Sequence, residues 1–126
     1  MQLNEALSQL KLLQSQYGEV THRLQDVREL LPTVDQAFTV LTFARFEGIL
    51  TKVGPELRVP SHFSEADSLA TKLSSIGKRL GMDRRFRQYV ERELLLPRNQ
   101  ALHGRPLHTD FSTVITCAKQ FIEQCH

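Results

Sequence analysis

The chain has 126 residues, 40% of them hydrophobic and 24% charged, with a formal net charge of +2. That length predicts one domain, 1–126, able to bury a core, and the balance excludes a disordered or low-complexity chain. The longest unbroken apolar run, Leu94 to Leu96, is too short for a membrane span, the polar N-terminal segment does not read as a secretory signal, and two cysteines suit a reducing cytoplasmic setting.

From residue 3 to residue 31, Leu3, Leu7, Leu10, Leu13, Tyr17, Val20, Leu24, Val27 and Leu31 recur at spacings of three and four. This predicts one long amphipathic helix with Pro32 as its stop. Thr33 and Gln36 form a capping-box pattern that restarts a helix running to about Val53. Its apolar side, from Val34, Ala37, Phe38, Leu41, Ala44, Phe46, Ile49 and Leu50, is broad enough for the centre of a bundle, with Arg45 and Glu47 interrupting it. The two helices form a long N-terminal hairpin. Gly54-Pro55 ends the second, and residues 56–63 read as a loop with a short extended piece at Leu57-Arg58-Val59. Ser64 to Asp67 reads as the next N-terminal cap, followed by Ala66, Leu69, Leu73, Ile76 and Leu80 at helical spacing and by Gly81 as the C-terminal cap. Asp83 caps a fourth helix carrying Phe86, Tyr89, Val90 and Leu94, which Pro97 either interrupts or restarts. The last helix begins at Thr109 or Asp110 and buries Phe111, Val114, Ile115, Ala118, Phe121, Ile122 and Cys125. The sum is an all-α, up-and-down bundle of about five helices.

Most candidate chemistries fall away on spacing. Cys117 and Cys125 stand eight apart on one helix, about 12 Å of rise against the roughly 7 Å reach of a disulfide. His103 and His108 lack a carboxylate or thiolate at ligand spacing, so neither a metal nor a cofactor is expected. A Cys117–His103–Asp110 triad would need its thiol at an activated position, not mid-helix on the core side. What remains is Arg98-Asn99-Gln100-Ala101-Leu102-His103-Gly104. It places a guanidinium, an amide and an imidazole within six residues, side chains suited to holding a phosphodiester and moving a proton beside it.

The charge is uneven around this segment. Between Lys78 and Arg105 lie eight of the sixteen Lys and Arg, seven of them Arg. Arg84, Arg85, Arg87, Arg92 and Arg105 are candidate contacts to a phosphate backbone, against the plainer reading of a solvated helix face. If the segment is helical, Asn99 and His103 share a face while Arg98 is turned aside. Arg98 and His103 then converge only through a distorted turn or across a symmetric dimer. Otherwise the segment is a helix end with an imidazolium near its C-terminal dipole.

The pattern Arg98-Asn99-x-x-x-His103-Gly104, late in a small helical domain and before a final amphipathic helix, resembles the Arg-x(4–6)-His signature of the HEPN superfamily. In that signature Asn commonly follows the Arg, and Gly often follows the His. The segment Leu41 to Leu50 is similar to the aromatic-then-Glu pattern of several branches, and the resemblance implies Glu47 as a cleft residue from an earlier helix. It implies an α-helical homodimer with both motifs in one cleft, acting as a metal-independent endoribonuclease. The RNA 2′-hydroxyl would attack the adjacent phosphate and leave a 2′,3′-cyclic phosphate. His103 would be general base or acid, Arg98 would neutralise the phosphorane, and Asn99 would position His103 or a phosphate oxygen. The upstream arginines would bind the RNA backbone. Non-catalytic members imply the alternative of a module that binds nucleotide, nucleic acid or a protein partner, such as an inhibitor. Toxins of the family paired with nucleotidyltransferase antitoxins often carry a Tyr two residues after the His as a modification site. Arg105 stands there in this chain, which speaks against that form of regulation.

Overall fold

The N-terminal hairpin consists of α1 (Leu3–Arg23) and α2 (Leu31–Val53) in a computed structural model that describes residues 1–59, 63–64 and 67–126. The first helix therefore ends eight residues before the expected position. Leu24 closes it, and a turn followed by one 3-10 turn, Arg28–Leu30, leads into α2. Pro32 is not the stop; it sits in the first turn of α2. A helix carried through residue 31 would press the Pro32 ring against a carbonyl one turn back and forfeit a hydrogen bond. At a helix start the missing N–H costs nothing. The reversal accordingly falls upstream of the proline. Thr33 does not cap: Leu30 holds the N-cap position without a side-chain bond.

α2 is the central helix and packs on α1, α3, α5 and α6, and its buried side matches the apolar pattern in part: Phe46, Ile49 and Leu50 are buried as expected. Phe43, Phe46, Ile49, Leu50 and Val53 are buried together with Thr39 and Thr42. The two threonines tolerate burial because their hydroxyls donate to the carbonyls of Asp35, at 2.8 Å, and Phe38, at 2.7 Å. Ala37, Val40, Leu41, Ala44 and Gly48 face outward instead, an uncharged exposed stripe.

A 3-10 turn, Gly54–Leu57, extends α2, and Arg58 follows at φ 52°, so the expected extended piece at Leu57–Val59 does not form. No strand occurs among the described residues. The cap expected at Ser64 lies instead at Ser68, whose Oγ accepts from the Thr71 amide at 3.1 Å and starts α3 (Leu69–Leu80). Ser64 and Asp67 close a turn just before it. Glu65 and Ala66 lie outside the described residues. Gly81, at φ 64°, ends α3 as anticipated.

α4 (Arg84–Val90), a π turn (Glu91–Leu95) and α5 (Leu96–Leu102) form one continuous rod, so Pro97 does not interrupt it and stands instead in the first turn of α5, the second of the two places expected for it. The proline lacks the N–H an α-turn would use, and its ring crowds the carbonyl four residues back; the widened turn upstream accommodates both. α6 (Phe111–Gln124) is capped by Asp110, whose Oδ1 accepts from the Thr113 amide at 2.8 Å. Among the described residues the bundle thus has five helical rods. α1, α2 and α6 enclose the core, where Phe46 and Phe121 meet edge to face with centroids 5.7 Å apart. At the other end of α2, the Asp35 carboxylate accepts from the Tyr17 hydroxyl (2.9 Å) and the Phe111 amide (3.1 Å), joining three helices at one residue. No helix among the described residues is long and apolar enough to cross a membrane.

Candidate functional site

The π turn decides where the motif residues point. One extra residue in a turn rotates everything after it by about 100° relative to an unbroken α-helix. Downstream of that offset, Arg98 reaches α2. Its Nη2 lies 2.5 Å from Oε1 of Glu47, and its Nη1 donates to Oδ1 of Asn99 at 3.2 Å. The Arg98 and Glu47 side chains are 19% and 23% exposed, so the pair is shielded yet open to a ligand. Among the described residues it is the one ion pair that joins two helices. Glu47, expected as a cleft residue, thus contacts the motif through Arg98.

His103 is elsewhere. It is the C-cap of α5, exposed, with its amide bonded to the carbonyls of Asn99 (3.3 Å) and Gln100 (3.2 Å). Gly104, at φ 68°, donates to Ala101 at 3.1 Å, and Arg105 donates to Gln100 at 3.0 Å. These two bonds are a Schellman closure, so the glycine that completes the motif serves the backbone. α5 is regular from Arg98 to this cap. Five residues of α-helix turn two side chains about 140° apart, and one copy of the chain does not bring Arg98 and His103 together. The distorted turn allowed for in the sequence lies upstream of the motif, not within it. The Asn99 side chain serves Arg98; among the described residues it forms no hydrogen bond to the His103 side chain.

Arg98 and Glu47 open into a cleft of about 440 Å³ between α2, α3 and α5, lined also by Thr51, Asp67, Ser68 and Lys72. None of these four stands out in the sequence as a site residue. Lys72 did carry a signal: with Leu69, Leu73 and Ile76 it occupies a core-facing register, where a lysine is out of place.

The basic residues are exposed but do not form one stripe. Arg84, Arg85 and Arg105 extend into solvent. Arg87 lays its methylenes along α3, close enough that a Cβ at Gly77 would sit 3.1 Å from its Cδ. Arg92 is held by Glu93 at 2.9 Å and lies over the Tyr89 ring, 5.9 Å from its centroid. The thiols are inert: Cys117 and Cys125 are unpaired and buried, and burial pushes both up to about 12. Asp110 is held below the usual carboxylate range by the Thr113 amide, as befits a cap. No three His, Cys, Asp or Glu side chains gather as metal ligands would among the described residues. Compared with known proteins, the chain matches no family model, no curated sequence and no solved structure.

Proposed function

We propose that the chain is a metal-independent endoribonuclease of HEPN type that acts as a homodimer in the cytoplasm. The observation that carries this reading is the Arg98 guanidinium, shielded and aimed by Glu47 and Asn99 at the edge of an open cleft. Arginine has five N–H donors in a planar fork, and two are engaged here, which leaves three for a phosphate. His103, exposed at the end of the same helix, supplies the proton-transfer group. Their angular separation makes the second copy part of the mechanism: Arg98 of one chain and His103 of the other flank the scissile phosphate. The RNA 2′-hydroxyl loses its proton as it attacks the adjacent phosphorus, the 5′-oxygen leaves and takes up a proton, and the 2′,3′-cyclic phosphate remains. His103 serves one of the two proton transfers, and Arg98 offsets the charge that builds on the phosphorane. Arg84, Arg85, Arg87, Arg92 and Arg105 add salt-dependent contacts to the RNA backbone.

The test is cleavage of a mixed RNA in excess EDTA. His103→Ala is expected to lower the rate about 10²–10⁴-fold and Arg98→Ala about 10²–10³-fold. Mixing the two inactive variants separates a shared site from a site within one copy. At equal proportions half the dimers are mixed and half of their sites intact, so about a quarter of wild-type activity returns. No cleavage by wild type, or equal cleavage by the variants, defeats the enzyme reading.

One observation favours a second reading, a non-catalytic module that binds nucleotide, nucleic acid or a protein partner. Arg98 is already paired within its own chain, as a structural strut would be. Salt-dependent RNA binding that falls on Arg84→Ala and Arg85→Ala, without cleavage, selects it.

A further inference from the structure

The Arg98 cleft holds a second cation that the reading above does not use. Lys72 is 3% exposed on the core-facing side of α3, and its side chain lines the same cleft as Arg98. A buried ammonium is costly unless an anion compensates it. Two carboxylates also line the cleft, and each already accepts from another group: Glu47 from the Arg98 guanidinium, and Asp67 through Oδ2 from the Ser64 amide at 2.8 Å. No described residue forms an ion pair with Lys72. Ser68, the N-cap of α3, also lines the cleft, so the positive end of that helix adds to the field of the two cations. The space, about 440 Å³ and open to solvent, admits a phosphoryl group with its water.

We propose that this cleft takes a phosphoryl group bridging the Lys72 ammonium and the Arg98 guanidinium. The inference deepens the ribonuclease reading and rests on its assignment of Arg98 to phosphate. Lys72 thereby becomes a substrate-binding residue on a third helix, fixed in place by its own burial.

The experiment is thermal unfolding with two probes, inorganic phosphate and a short DNA strand, which lacks the 2′-hydroxyl and so cannot be cleaved by this chemistry. The proteins are wild type, Lys72→Gln, Lys72→Arg and His103→Ala. Wild type, Lys72→Arg and His103→Ala are expected to be stabilised by the probe. In Lys72→Gln the apparent affinity should fall at least about tenfold, while its stability without probe is unchanged or raised because Lys72 forms no ion pair among the described residues. Should Lys72→Gln fail to fold, Lys72→Met, which keeps the apolar stem, carries the test. A shift with both probes supports the site for a phosphodiester, and a shift with phosphate alone supports it for the free anion. No shift in wild type, or equal shifts in wild type and Lys72→Gln, overturns the inference. The two proposals fail separately. Absent RNA cleavage with a Lys72-dependent shift removes the enzyme and keeps the anion site. Cleavage with an unchanged KM in Lys72→Gln and no Lys72-dependent shift removes the anion site and keeps the enzyme.

Discussion

Arg98 bonds within its own chain through two nitrogens, to Glu47 and Asn99, and lines the cleft; in the proposed reading Glu47 is a positioning residue for it. Glu47→Ala is expected to leave the fold intact and to lower RNA cleavage at saturating substrate by about ten- to a hundredfold, because a misplaced guanidinium loses alignment with the phosphate. A smaller loss in Glu47→Gln, whose amide oxygen still accepts from Arg98, would separate positioning from charge; kcat and KM for the two variants read the difference. Glu47 and Arg98 each stood out in the sequence, Glu47 as a charge on a broad apolar helix and Arg98 as the head of a short motif. Their contact did not, because they stand 51 positions apart and only the packing of α5 on α2 makes them neighbours. Lys72 shows the converse. Its core register was readable from Leu69, Leu73 and Ile76, yet a lone lysine at helical spacing gives no hint of which cleft it lines.

Among the elements, the caps were the most legible, since a cap is a local bargain between one side chain and the amides beside it. Gly81, Asp83 and Asp110 all stand where their chemistry predicts, whereas Pro32 and Thr33 suggested a boundary that the hairpin reversal places upstream. Gly104 closes α5 at φ 68° with no atom within 4 Å of where a Cβ would stand, so Gly104→Ala meets a backbone cost alone. About 1–2 kcal/mol of stability should be lost, read by denaturant unfolding, with fraying confined to the His103 end. Asp35 has the larger role. Asp35→Ala orphans the Tyr17 hydroxyl and the Phe111 amide, and about 2–3 kcal/mol is the expected loss by the same measurement. Pro97→Ala should act differently. It restores an N–H and removes the ring that the π turn accommodates, so stability is expected to hold or rise while cleavage falls as Arg98 loses its aim.

At the scale of the whole molecule, apolar periodicity alone conveyed an all-helical, up-and-down bundle. It placed Phe46, Ile49 and Leu50 correctly on the inward side of α2 but drew that side too wide, taking in Ala37, Leu41 and Ala44 and leaving out Thr39 and Thr42, which bury themselves by bonding their own helix. The outward stripe that results, Val40 and Leu41 among it, lies on the helix that carries Glu47. The core also sets an alkaline limit. Burial raises both thiols from the ordinary 9.0 to about 12, and Tyr17 and Tyr89 are raised from 10.0 by the same cause first. Folded-state values above the unfolded ones mean that the thiols' contribution is complete below pH 9 and is lost as pH climbs toward 12. Denaturant unfolding at pH 9, 10 and 11 should show that decline in wild type and a shallower one in Cys117→Ala/Cys125→Ala. The π turn reaches beyond this molecule. A relative built on an unbroken helix would align with this chain only across a one-residue gap in mid-helix, and a comparison that forbids gaps there severs the arginine-rich segment from the motif it precedes.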